Sequence, residues 1–338
     1  MPNIKNMALQ GLYRLGVPAI LRRLPAPENS MTVLAYHAVT DDPAYALPGI
    51  RVTPRLFAQQ IAHLVQHYTV VDLADALEQH AQGRPLPPRA VAITFDDGYL
   101  DNYTDAFGVL KAHRACATIF TTVDPVLDGG RFWVSWLYEL LLSERPAPAL
   151  IDEVFGVRPE AGTEAAFNAI SGVLNYSPRA EREVLLDRFA ERLDPGATPP
   201  RMLNVAQMRE MQAGGIRFGS HTLSHPILAN IDHEERQLEL RRSRARLIEA
   251  LDRDVPLIAY PNGRAIPRNF DASVMADCRA AGYRAAVTSR RGPVTSGADA
   301  FAIPRMGVSQ MGGIARFAVT LERFRAAARR SGKNGAGA

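Results

Sequence analysis

Cysteine is nearly absent from this chain. Only Cys116 and Cys278 occur in 338 residues, which excludes a disulfide framework or a cysteine-rich zinc module and permits at most one bridge. Lysine is confined to Lys5, Lys111 and Lys333, so arginine carries nearly all the positive charge. The formal net charge is only +4, and five positive residues against no negative one lie in the stretch Arg323 to Lys333. The rest of the body is close to neutral, which argues against a nucleic-acid partner. A long apolar run is missing too. The N-terminal MPNIKNMALQGLYRLGVPAILRRLPAPENS is interrupted by Arg14, Pro18, Arg22 and Arg23, so it lacks the continuous stretch of a membrane span or an export signal. Its Leu9, Leu12, Leu15, Ile20 and Leu24, with Lys5, Arg14 and Arg22, suit an amphipathic helix that rests on a membrane surface or docks on the body. The expected location is cytoplasmic, or peripheral on the inner membrane face.

What the chain has is a recurrence of short β-type runs. They are TVLAY (Thr32 to Tyr36), YTVV (Tyr68 to Val71), AVAITF (Ala90 to Phe95), ATIFTT (Ala117 to Thr122), IRFGS (Ile216 to Ser220), LIAY (Leu257 to Tyr260), RAAVT (Arg284 to Thr288) and FAIPR (Phe301 to Arg305). Amphipathic helical stretches such as Pro54 to His67 and Glu234 to Leu251 lie between them. Strands apolar on both faces, alternating with helices, predict a mainly parallel α/β fold, and the number of units favours a barrel over an open sheet. From about 128 to 204 the strand signal stops and helical segments follow one another, separated by the Pro-rich joints ERPAPA and DPGATPPR. The expected organisation is an N-terminal extension over 1–30, one barrel over 31–322 with a helical insertion at about 128–204, and a basic, disordered tail over 323–338.

The chemistry lies at the ends of the strands. Asp96 and Asp97 follow AVAITF, His221 follows IRFGS, the PNG of Pro261 to Gly263 follows LIAY, and His37 follows TVLAY. In a βα barrel those ends converge on one mouth, where such folds place their active sites. His221 and His225, four apart in GSHTLSHP, stand at a spacing that a divalent metal needs. With Asp97 as third ligand they leave positions open for water and substrate, and a donor set without thiolate suits zinc, cobalt or another borderline ion. A cation beside Asp97 also resolves the repulsion of two adjacent carboxylates and leaves Asp96 free as a base. His63 and His67 share the four-residue spacing but sit beside the apolar face of a helix, far from any strand end, and read as a solvated or half-buried pair. Phe132, Trp133, Trp136 and Tyr138 open the helical stretch and read as core or as sugar-stacking faces.

TFDDGY, then HTLSHP, then AYPNG resembles, in order and approximate spacing, the leading motifs of the polysaccharide deacetylases, the NodB-like carbohydrate esterases. The likeness runs from about Thr32 to Val308 and includes LAYHAV and the IPRMGV ending of the branch that acts on exopolysaccharides. It implies a distorted (β/α)7 barrel, one divalent ion, an N-acetylated glycan substrate and removal of N-acetyl groups. Carried over, Asp96 is the base, Asp97, His221 and His225 are the metal ligands, and the backbone N–H of Asn262 is an oxyanion donor. Two departures stand out. The arginine that many members carry two residues before the motif-three proline is Ala259 here, with Arg305 or Arg264 as substitutes near substrate and base. The late leucine-x-histidine that supplies the acid has no counterpart, since no histidine follows His233, so His37 is the candidate acid.

The leading expectation is a metal-dependent hydrolase that removes N-acetyl groups from N-acetylhexosamine units of a bacterial polysaccharide or its lipid-linked precursor. The alternatives are hydrolysis of another acyl or amide group by the same site, or a catalytically weak sugar-binding member of a polysaccharide assembly system.

Overall fold

The computed structural model describes residues 4–23, 29–193, 201–309 and 313–333. Ten strands occur among them: β1 (Met31–Tyr36), β2 (Ala38–Val39), β3 (Arg51–Val52), β4 (Thr69–Val70), β5 (Ala90–Phe95), β6 (Ala117–Thr121), β7 (Ile216–Ser220), β8 (Leu257–Ala259), β9 (Ala285–Val287) and β10 (Met306–Gly307). Every residue of β1, β5 and β6 is buried, as strands covered on both faces require. Seven strands follow the order β10-β1-β5-β6-β7-β8-β9, with β4 also paired to β5 and every ladder parallel. The segment before β10 spans the remaining gap: Val287 of β9 bridges Ile303 in parallel, and Met306 and Gly307 pair with Leu34 and Ala35 of β1. The result is a distorted (β/α)7 barrel. FAIPR, read as one strand, is instead a bridge at Ile303 and a two-residue strand just beyond Arg305. The small β2–β3 pair, Ala38 with Arg51 and Val39 with Val52, gave no period of its own in the sequence because two residues are too few to show one.

Helices return the chain between strands, and their starts are written locally. Thr53 accepts from the Leu56 N–H with Pro54 in the first turn, Asp72 accepts from Asp75, and Asp232 accepts from Glu235; each takes up a backbone donor that the helix cannot satisfy. Between Trp133 and Leu193 four helices, Trp133–Glu144, Pro148–Phe155, Thr163–Leu174 and Arg179–Leu193, surround a core of their own that includes Trp136, Leu137, Leu140, Ile151, Phe167, Ile170 and Phe189. Residues 194–200, at the expected end of the helical stretch, lie outside the described residues.

The N-terminal helices Ile4–Arg14 and Val17–Arg23 pack against the last helix, Gly313–Lys333. That helix corrects the expectation of disorder from residue 323: backbone hydrogen bonding continues to Lys333, because its first half, with Phe317, Ala318 and Leu321 buried, anchors it on the barrel. Residues 334–338 lie outside the described residues. His63 is also more enclosed than its sequence suggested; it is buried against His67 and Phe317, and burial, then the nearby charge of His67, push its imidazole down to about 4. Both cysteines are free, and no helix among the described residues is long and apolar enough to cross a membrane.

One glycine fixes the entry to the mouth. Gly98 has φ +87°, and a Cβ there would lie 2.8 Å from Thr121 Cγ2 and 3.2 Å from Val126 Cγ2. Gly98→Ala is therefore expected to destabilise the fold by about 1–3 kcal/mol through overpacking and left-handed strain, read as a lower urea midpoint at unchanged slope.

Candidate active site

The strand register places the polar residues side by side. Tyr36 pairs with Phe95, so His37 and Asp96 leave adjacent strands together, and the Asp96 N–H donates to the Tyr36 carbonyl at 3.0 Å. Thr121 pairs with Ser220, and the His221 N–H continues that ladder onto Thr121 at 2.8 Å. Past these ends the backbone turns sharply. Asp97, Thr222, His225 and Asn262 all have positive φ, between 52° and 74°, a region non-glycine residues enter at a cost that the surrounding structure must hold in place.

Asp97, His221 and His225 offer ligand atoms that all lie within 4.8 Å of one another, and all three residues are buried. Asp97 Oδ1 is 3.4 Å from His221 Nε2 and 3.7 Å from His225 Nε2. These gaps exceed a hydrogen bond and match the roughly 3.3 Å between ligand atoms of a tetrahedral ion with bonds of about 2.0–2.1 Å. The tautomer of His221 is set by the Ala259 carbonyl, which accepts from Nδ1–H at 2.8 Å and leaves the Nε2 lone pair facing Asp97. His225 is pushed down to about 3 by burial and by the neighbouring His221, so its imidazole is neutral, as a ligand must be. Burial works against a charge on His221, but the Asp97 and Asp96 carboxylates outweigh it and hold that imidazole above its usual range. The pocket thus has a place for one positive charge, and its donor set of two imidazoles and a carboxylate fits a divalent ion.

Asp96 has a different partner. Arg305 clamps it with two parallel bonds, Nη1 to Oδ1 at 2.7 Å and Nη2 to Oδ2 at 2.6 Å, and the same guanidinium donates to Thr94 Oγ1 at 3.1 Å and to the Thr288 carbonyl at 2.8 Å. Burial alone would raise the Asp96 carboxyl, but the charge of Arg305 and its hydrogen bonds hold it well below the usual carboxylate range. Of the two arginines read as substitutes near substrate and base, Arg305 is the one beside Asp96; with four hydrogen bonds to the protein and its side chain buried, it grips the acid. Arg264, the other candidate, is exposed. Sequence distance hid this choice, because only the closing segment of the barrel carries Arg305 inward.

His37 Nε2 lies 3.7 Å from Asp96 Oδ2, and the His37 carbonyl accepts from Asn102 Nδ2 at 2.8 Å. Asn262 lines the same cavity, and no protein acceptor among the described residues takes its backbone N–H. The cavity, about 180 Å³, is bounded by His37, Asp96, Asp97, His221, His225 and Asn262 on the barrel side and by Phe132, Trp133, Phe167, Ser171 and Asn175 from the helical stretch. Trp133 thus faces the site, whereas Trp136 packs in the helical core under Arg131.

Sequence reasoning missed Glu239. Fully buried in the helix His233–Leu251, it accepts from Leu223 N at 2.7 Å, Ser224 N at 3.1 Å and Ser224 Oγ at 2.6 Å, and so ties down the loop between the two histidines. Arg182 reaches the same Ser224, donating to its carbonyl at 3.1 Å and to its hydroxyl at 2.9 Å. An acid on the apolar face beside Leu240 and Leu247 was the available signal.

Comparison with known proteins assigns this architecture a family. A polysaccharide deacetylase profile matches residues 83–129 and 165–286, half of the chain. The chain belongs to the polysaccharide deacetylase family, whose members are carbohydrate deacetylases. A stretch of 98 residues, 28% of this chain, is 35% identical to the poly-beta-1,6-N-acetyl-D-glucosamine N-deacetylase of Escherichia coli strain K12 and spans 14% of that enzyme's length. Among solved structures, the Streptococcus pyogenes deacetylase PplD in complex with acetate superposes with a TM-score of 0.57 at 20% identity, covering 83% of this chain and 93% of that one. IcaB from Ammonifex degensii gives 0.54 at 21% identity, covering 86% and 98%. At such identities these two likenesses show the fold.

Arg305→Met leaves Asp96 buried without its cation, expected to cost about 3–5 kcal/mol at neutral pH. In the parent protein the depressed Asp96 pKa stabilises the fold above the unfolded carboxylate value near 4, and that contribution fades as pH falls below it. In the variant the carboxyl is raised instead, so the loss in urea-denaturation stability should be larger at pH 8 than at pH 4.

Proposed function

We propose that this chain is a metal-dependent N-deacetylase that acts on an N-acetylhexosamine unit of a bacterial exopolysaccharide or of its lipid-linked precursor. The observation that carries the reading is the convergence of Asp97, His221 and His225 around one ion-sized gap, with a second carboxylate beside them on its own arginine. Asp97, His221 and His225 would hold a zinc or cobalt ion, which would supply Lewis acidity toward the acetamide oxygen and lower the pKa of a water there. Asp96, kept ionised by Arg305, takes the proton from the attacking water as its oxygen bonds to the carbonyl carbon. The Asn262 N–H faces the oxygen that gains charge. When the C–N bond breaks, the leaving amine needs a proton. His37, whose Nε2 lies 3.7 Å from Asp96 on the cavity wall, is the proposed donor, and acetate and a free amino sugar are the products. Arg305 also removes one motive for a merely sugar-binding role, since the base has its arginine although Ala259 stands at the usual position.

Asp96→Asn should lower acetate release from N-acetylated sugar by about 10²–10⁴-fold while the metal content stays stoichiometric, whereas His225→Ala should lose the metal. Acetate assay with metal analysis of both variants decides the roles; equal metal loss in the two would refute the division between base and ligand.

We further propose that the protein sits peripherally on the inner membrane face. In the turn between its N-terminal helices Leu15 is 77% exposed, and on the second helix Ile20 is 59% exposed, with Leu12, Tyr13, Arg14 and Arg23 also exposed, which is an apolar surface rimmed by cations suited to anionic headgroups. Leu15→Ser/Ile20→Ser should remain in the supernatant under conditions where the parent chain sediments with anionic vesicles.

A further inference from the structure

The helical stretch brings residues with unmatched polar atoms to the wall of the cavity. Three of its residues that line the cavity, Trp133, Ser171 and Asn175, each hold a buried side-chain atom without a hydrogen-bond partner: the indole Nε1–H, the hydroxyl Oγ and the amide Oδ1. Trp133 is 8% exposed and Ser171 9%. The residues themselves are fixed. The Asn175 N–H donates to the Ser171 carbonyl at 3.0 Å, and the Asn175 carbonyl accepts from Asn230 Nδ2 at 3.3 Å. The Trp133 ring meets His225 edge-on at 6.4 Å and lies 5.4 Å under the Arg182 guanidinium. A fixed backbone at Ser171 and Asn175 and a packed ring at Trp133, with a donor, a hydroxyl and an acceptor left unpaired, mark a surface built for a polar ligand, because buried polar groups are otherwise paired.

We propose that Trp133, Ser171 and Asn175 form a glycan subsite that binds the hydroxyl groups of the sugar unit carrying the acetamide, and so select sugar over simpler acyl substrates. A pyranose hydroxyl is both donor and acceptor, as this mixed set requires. Phe132 and Phe167 beside the three supply apolar faces for the ring C–H groups. The cavity, about 180 Å³, is smaller than the 300–1,000 Å³ that usually encloses a drug-sized ligand, so it receives one sugar unit and leaves the rest of a chain outside. The reactive groups come from the barrel and the discrimination from the helices. This inference rests on the proposed deacetylase reading, which concerns only the barrel residues.

The test uses the full-length, metal-loaded protein and three single changes: Trp133→Phe, which keeps the ring and deletes the N–H, Ser171→Ala, and Asn175→Ala. Two substrates are compared, β-1,6- or β-1,4-linked N-acetylglucosamine oligomers and 4-nitrophenyl acetate, which has no hydroxyl to recognise. Each change should lower the ratio of kcat/KM for sugar over ester by about tenfold, the worth of one lost hydrogen bond. An unchanged ratio in all three variants overturns the subsite, as does an equal loss on both substrates, which would indicate a structural role. Should the parent chain release no acetate from any N-acetylated sugar, the deacetylase reading fails, and calorimetric binding of the same oligomers then decides the subsite separately. Tenfold weaker binding in the variants supports it, and unaltered binding, or none to the parent chain, sinks it.

Discussion

Two neighbouring carboxylates at the end of one strand repel unless each is answered by its own positive charge, and the molecule is arranged around that requirement. Asp96 is answered by Arg305, whose planar fork matches both of its oxygens. Asp97 faces two imidazoles that leave room for an ion. Arg305 reaches the acid because the segment ahead of β10 lies between β9 and β1, bonded to both, so closing the ring and supplying the guanidinium are one event. A chain that stopped short of this segment would lose more than an edge strand, since Asp96 would stand buried and unpaired.

Much of this was legible because periodicity and punctuation agree. AVAITF coincides with β5, since a strand covered on both faces reads as an unbroken apolar run, and IRFGS coincides with β7 although the exposed Arg217 interrupts it. The acids and histidines were recognisable by standing where those runs stop. What stayed hidden depended on contacts between distant segments. The sequence named Arg305 or Arg264 as the substitute arginine, and neither is near Asp96 in the chain; the closing segment decides, leaving Arg264 exposed and Arg305 buried on Asp96. Glu239 looked like one charge among many in EERQLELRR; its place on the helix's apolar face was a faint signal, and its bonds to the Leu223–Ser224 turn show its part. His63 was read as flanking its helix's apolar face, but the final helix covers that side.

The division of labour between barrel and helices follows from their packing. The carboxylates and imidazoles of the proposed site emerge from strand ends, where parallel pairing leaves little freedom. The helices from Trp133 to Leu193 have an independent core and touch the catalytic loops through a few polar ties, such as Arg182 on Ser224 and Arg179 on Asp124. A wall with its own core tolerates changes on its cavity face while the barrel continues to hold its carboxylates and imidazoles.

The second N-terminal helix and the last described helix also share a buried charge. Glu322 accepts from Tyr68 Oη at 2.5 Å and from Arg325 Nε at 3.0 Å, and it lies 3.8 Å from Arg22, while Arg325 also donates to the Leu21 carbonyl. Shut away from solvent, that carboxylate has no water to replace a departing neighbour. Peeling off the front of the chain would strip cations and contacts from its far end, so the two extremities behave as a single clasp across the outside of the ring and open or hold together.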